Sequence, residues 1–153
     1  MKNNTPYVIV KRLKNILLVL DAFLILGLLS YAIILFTINR TLNPVDISVG
    51  NITVEQRLYW REIAEKICAV CNVIYILGHV LVIYNSIKRK VRFSLKTLGF
   101  YFLTQIGIAL ICVVPFGILD RAWFYDYIFP LWNIILTTSL LFVFSIFTLK
   151  KKM

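Results

Sequence analysis

The sequence predicts an all-α fold: an integral membrane, antiparallel four-helix bundle with its N-terminus and C-terminus cytoplasmic. Three observations predict it. The first is composition. Of 153 residues 60% are apolar and only 16% charged, with a mean hydropathy of +0.84, whereas a soluble domain has about a quarter of its residues charged. The second is where charge is missing. The stretches bounded by Lys14 and Arg40, Lys66 and Lys88, Lys96 and Asp120, and Asp126 and Lys150 enclose 25, 21, 23 and 23 residues, broken only by Asp21. Each meets the roughly 20 residues that cross about 30 Å of hydrocarbon at 1.5 Å per residue. The third is sidedness. Twelve of the 17 Lys and Arg residues flank helix 1, fill the 88–96 loop or end the chain, while six of the seven acids fall on the other side. The positive-inside rule puts the basic side in the cytoplasm.

The four helices form one transmembrane domain over 1–153. Helix 1 is predicted over about 15–39. Its basic flank and apolar run resemble a signal peptide, but the run is too long and no small-residue cleavage site follows, so it reads as a retained anchor. The external loop 40–52 opens on the turn signal Asn43-Pro44 and contains the sequon Asn51-Ile-Thr53, which has meaning only in a eukaryotic host. Thr53-Val-Glu-Gln56 fits a capping box, so helix 2 is predicted over about 53–87, projecting past the hydrocarbon or bending into a piece that lies flat. Arg61–Glu65 and Glu62–Lys66 are spaced for helical ion pairs. The cytoplasmic basic loop 88–96 follows, then helix 3 (about 97–119), with Pro115 expected to kink it. A tight external link leads to helix 4 (about 127–149), with Pro130 expected in its first turn. Trp60, Trp123 and Trp132, with Tyr59, Tyr125 and Tyr127, form an aromatic belt at the outer boundary. The final Lys150-Lys151-Lys152-Met153 reads as a positive stop, and as a retrieval signal only in a eukaryote. The cell membrane is the expected location, with the endoplasmic reticulum membrane as the eukaryotic alternative.

The residues most costly in lipid are the candidate site. Asp21 lies roughly 10 Å in from Lys14, and His79 and Gln105 lie roughly 13 Å in from Lys88 and Lys96. Three polar side chains at similar depth on three helices predict a cluster in the core, with Asp21 accepting from His79 or Gln105. Intramembrane carboxylates face the bundle interior and mark packing clamps or proton and ion sites. Helix 2 also carries a polar stripe, Cys68, Asn72, Tyr75, His79 and Ser86, on one face; it reads as helix–helix glue or a polar path. Gly99, Gly107 and Gly117 permit close helix approach.

Cys68-Ala-Val-Cys71 is a CxxC, with Cys112 at comparable depth on helix 3. In helix count and in this motif the chain superficially resembles the four-helix membrane thiol oxidoreductases, which would imply a redox dithiol. It departs from them in having three cysteines and none in a loop, so no second pair relays electrons. The alternative is that these are small packing residues. One His excludes multi-His metal sites, and no Gly-rich phosphate loop occurs, so neither metal nor cofactor is expected. The basic excess is a topology signal rather than a nucleic-acid footprint; it should attract anionic lipid headgroups to the inner face. The leading functional expectation is a non-enzymatic accessory, regulatory or immunity-type subunit, binding another membrane protein or itself. A small proton- or ion-coupled transporter using Asp21, His79 and Gln105 is the alternative, and a thiol oxidoreductase the second.

Overall fold

The computed structural model describes residues 5–41, 54–88, 95–120 and 124–150. Four helices follow one another: α1 (Thr5–Thr41), α2 (Val54–Lys88), α3 (Leu95–Leu119) and α4 (Phe124–Lys150). β-branched and aromatic side chains are frequent in all of them and favour strands in water. Helices form because an apolar segment that leaves water must satisfy its backbone hydrogen bonds within itself. All four are long and apolar enough to cross a membrane. Thr53 of the capping box, the sequon and the last three residues lie outside the described residues.

Two helix boundaries differ from those predicted. α1 begins ten residues before the span read from charge, because lysines and arginines do not interrupt a helical ladder; they only leave the hydrocarbon. α4 begins at Phe124, so Pro130 is its seventh residue and stands inside the helix rather than in its first turn. α2 is one continuous helix of 35 residues, about 52 Å along its axis. Its ion pairs form too, Arg61 to Glu65 at 3.0 Å and Lys66 to Glu62 at 2.7 Å. Both pairs are substantially exposed and add little.

The packing is that of two hairpins. α1 lies along α2 and α3 along α4. The hairpins then meet through α1 against α3 and, more loosely, α2 against α4, leaving α2 and α3 on one diagonal of the bundle. Each helix buries one stripe. On α4 it is Tyr127, Leu131, Ile134, Thr138, Leu141 and Ser145, a run of alternating four- and three-residue steps that keeps one seam toward its neighbours. On α1 it includes Leu20, Leu24, Leu28, Tyr31 and Leu35. Edge-to-face rings join α1 to α3 (Phe36–Phe116) and α3 to α4 (Phe102–Phe142).

Small residues set the spacing inside the first hairpin. A Cβ on Gly27 would stand 2.7 Å from Cys71 Cβ, and one on Gly78 would run into the Leu20 side chain. The glycines expected to permit close approach behave differently: Gly107 has nothing within 4 Å of where its Cβ would be, and Gly99 meets only a ring carbon of Phe142 at 4.0 Å. Without a hydrophobic drive between helices in lipid, backbone proximity supplies the contact. Gly27→Val should therefore lower hairpin stability by about 1–3 kcal/mol, the usual cost of overpacking; Gly107→Val should be neutral. Thermal melting in a mild detergent reads both.

Candidate functional site

Asp21, His79 and Gln105 converge, but through a residue the sequence reading did not single out. The Tyr101 hydroxyl donates to Asp21 Oδ1 at 2.9 Å and lies 2.8 Å from His79 Nε2. His79 Nδ1 is 2.8 Å from the Tyr75 carbonyl oxygen. Asp21 on α1, Tyr101 on α3 and His79 on α2 thus form one chain across both hairpins. Asp21 and His79 are joined through Tyr101 rather than by a direct bond, and the Gln105 side chain stands next to Asp21. Gln105 is fully buried beside the chain, and neither of its amide atoms has a hydrogen-bond partner.

Hydrogen-bond stoichiometry limits the proton placements that satisfy every contact of this chain. A carbonyl only accepts, so His79 Nδ1 carries a proton and donates it to Tyr75. Tyr101 has one hydroxyl proton and two neighbours. When it donates to Asp21, His79 must donate to it from Nε2, giving a carboxylate and an imidazolium. When it donates to His79, Asp21 must be protonated and donate to it. Both placements satisfy every contact and are neutral overall. An ionised Asp21 with a neutral His79 would set two acceptors against each other. A neutral, fully paired set is what a low-dielectric interior tolerates.

Along the stripe on α2, Tyr75, His79 and Ser86 are buried, and Cys68 and Asn72 half-buried. The Tyr75 ring centroid is 4.2 Å from that of His79. Tyr75 Oη, Thr138 Oγ1 and Asn72 Oδ1 are buried without hydrogen-bond partners. Cys68, Cys71 and Cys112 are all free, and the Cβ of Cys71 is the surface on which Gly27 packs.

Two cavities adjoin this core. One, of about 200 Å³, runs from His79, Tyr101 and Phe102 to Lys14, Thr97, Ser86 and Ser145 at the basic end. The other, of about 240 Å³, lies in the opposite half against Tyr31, Glu65, Asn72, Pro130 and Asn133. Neither Asp21 nor Gln105 lines either of them.

A second polar network closes the opposite end. Asn39 Nδ2 donates to Asp120 Oδ2 at 2.7 Å, Arg57 Nη2 donates to Asn39 Oδ1 at 3.0 Å, and the Tyr127 hydroxyl donates to Asp120 Oδ2 at 2.9 Å. Each of the four helices contributes, Asp120 from the first residue past α3. Arg61 Nη1 also reaches Asp126 Oδ1 at 3.4 Å, tying α2 to α4. Charge marks Asp120 and Asp126 as flanks of their spans; nothing in the spacing along the chain marks these residues as partners.

Pro130 explains one further bond. A proline has no N–H, so the carbonyl four residues earlier loses its helical donor. That carbonyl belongs to Asp126, and the Tyr31 hydroxyl from α1 donates to it at 2.9 Å. Tyr31 is 2% exposed, so this bond lies well inside the bundle. Tyr31→Phe should cost about 1–3 kcal/mol, the penalty of an orphaned buried group. In a Pro130→Ala background the same change should cost distinctly less, because the helix supplies its own donor. Chemical denaturation of the two pairs of variants measures the difference.

Compared with known proteins, the chain matches no family model, no curated protein and no solved structure.

Proposed function

We propose that the chain is a non-enzymatic membrane subunit, of accessory, regulatory or immunity type, that binds another membrane protein. One observation supports this above the rest: the carboxyl group buried among the spans is bonded to side chains of two other helices. Asp21, Tyr101 and His79 are bonded to one another across three helices, and Asp21 lines neither of the two cavities described above. A transporter must leave such groups open to its solute. Much apolar surface points outward, including Phe100, Leu103 and Ile111 on α3, and lipid or a partner's helices would cover it. Crosslinking in cells followed by purification in mild detergent should return one other membrane protein in stoichiometric amount, with the native chain and Asp21→Asn alike. Recovery of the chain by itself would count against the reading.

A proton-linked carrier is the second reading, and a specific observation favours it. The chain has two neutral proton placements that interconvert by shifting one proton across each bond of Tyr101, and His79 and Tyr101 stand at the wall of the 200 Å³ cavity. On this reading Asp21→Asn, which preserves a donor toward Tyr101, abolishes proton flux in proteoliposomes while the fold survives. Equal flux in both proteins would exclude it.

A further inference from the structure

The cavity at the basic end is lined by two serines, a threonine, a histidine and a tyrosine, yet its surface is almost wholly apolar. The reason is where the polar atoms point. Ser86 Oγ donates to the Val82 carbonyl and Ser145 Oγ to the Leu141 carbonyl, each at 2.7 Å, so both hydroxyls are turned back on their own helices. His79 and Tyr101 are turned toward each other. What faces the space is methylene, methyl and ring carbon from Leu17, Val82, Ile83, Leu98 and Phe102. From Ser86 to His79 the wall runs seven residues along α2, roughly 10 Å of rise. At about 200 Å³ the space exceeds the ~150 Å³ apolar cavity that takes up benzene.

The mouth has the opposite character. Lys14 lines it, and Lys88 and Lys96 lie within two residues of the lining Ser86 and Thr97. All three lysines are exposed, and the sequence places no acid at this end to neutralise them. An apolar slot that runs inward along the helices from a cationic rim has the orientation of a phospholipid in a leaflet, with its headgroup at the surface and its chain toward the midplane. An ion would find no ligands in it, and a neutral apolar solute would make no use of the rim.

We propose that this cavity is a binding site for an anionic phospholipid, with one acyl chain between the helices against Val82, Leu98 and Phe102 and the headgroup phosphate on Lys14 and its neighbours. Lysines near a membrane surface each favour an anionic headgroup, so the site selects by charge at the rim and by apolar burial within.

Native mass spectrometry of the delipidated chain in mild detergent, with dioleoylphosphatidylglycerol, dioleoylphosphatidylcholine or oleate added, tests this. The expected result is one retained phosphatidylglycerol, favoured roughly tenfold over phosphatidylcholine, as one or two lysine contacts would give. Lys14→Gln, at an exposed position, should weaken phosphatidylglycerol retention about fivefold and leave phosphatidylcholine unchanged. Val82→Phe with Ser145→Leu, which fills the slot, should abolish retention of both, provided its melting curve shows a folded protein; if it does not fold, Lys14→Gln decides. No retained lipid, equal retention of the two phospholipids, retention undiminished by Lys14→Gln or by a folded filled variant, or preference for oleate would each overturn the proposal.

Discussion

Tyr101→Phe is expected to be the most damaging single-atom change in this protein. Removing the hydroxyl leaves Asp21 Oδ1 and His79 Nε2 both without the partner they share. One interhelical hydrogen bond in lipid is worth roughly 0.6–1.7 kcal/mol. Here two groups are orphaned at once and one of them can be charged, so the loss should reach about 2–3 kcal/mol. Asp21→Asn should cost far less. Its amide can donate to the Tyr101 oxygen, which frees the hydroxyl proton for His79, the same pattern as the protonated acid. The two variants therefore separate the loss of a bridge from the loss of a charge. Unfolding in a graded denaturing detergent would compare them; if Asp21→Asn proved as damaging as Tyr101→Phe, the carboxylate would be needed in its ionised form.

The second large effect is expected at the opposite end. Asp120 Oδ2 accepts from both Asn39 and Tyr127, and Asn39 in turn accepts from Arg57. Asp120→Ala removes the hub. It strands the Asn39 amide, which is 6% exposed, and the Tyr127 hydroxyl, and it removes the negative charge that the Asn39 amide relays to Arg57. The loss should be about 2 kcal/mol, less than at Tyr101 because water can reach part of this end. Asp120→Asn should keep at least one of the two contacts and fall between. The same variant should loosen α1 from α3 before it loosens α1 from α2, because the first hairpin is held by Gly27 and Gly78 and needs no polar hub. Hydrogen exchange resolved by helix would show that order.

The helices themselves were legible, because their cause is local. Four gaps in the charge are a property of the sequence, and the bilayer converts each gap into a helix by a rule that ignores side-chain propensity. The partners were not legible, because they depend on how the hairpins turn toward each other. Asp21, His79 and Gln105 were found by depth, and depth alone could not say which would touch. Tyr101 carries the signal that was available: it stands four residues before Gln105 on one face of α3, roughly 7 Å in from Lys96 by helical rise, near the depth of Asp21. Tyrosines in such chains also populate the interfacial belt, and that second meaning conceals the first. Asn39 and Asp120 looked like the edges of their spans, and only the short link between α3 and α4 brings Tyr127 onto Asp120. With the charge at Asp126 as the helix boundary, Pro130 falls in the first turn. The helix runs past that charge to Phe124, and the displaced boundary is what creates the bond to Tyr31.

Asp21 and His79, on two helices and not in direct contact, act as one unit through Tyr101. A double-mutant cycle of Asp21→Ala and His79→Ala, read as unfolding free energy in detergent, tests it most directly. The structure predicts a coupling of about 1–3 kcal/mol, the range for residues in one network, and predicts that the coupling vanishes when the cycle is repeated on Tyr101→Phe. Additive losses in the native background would mean that the two residues act independently.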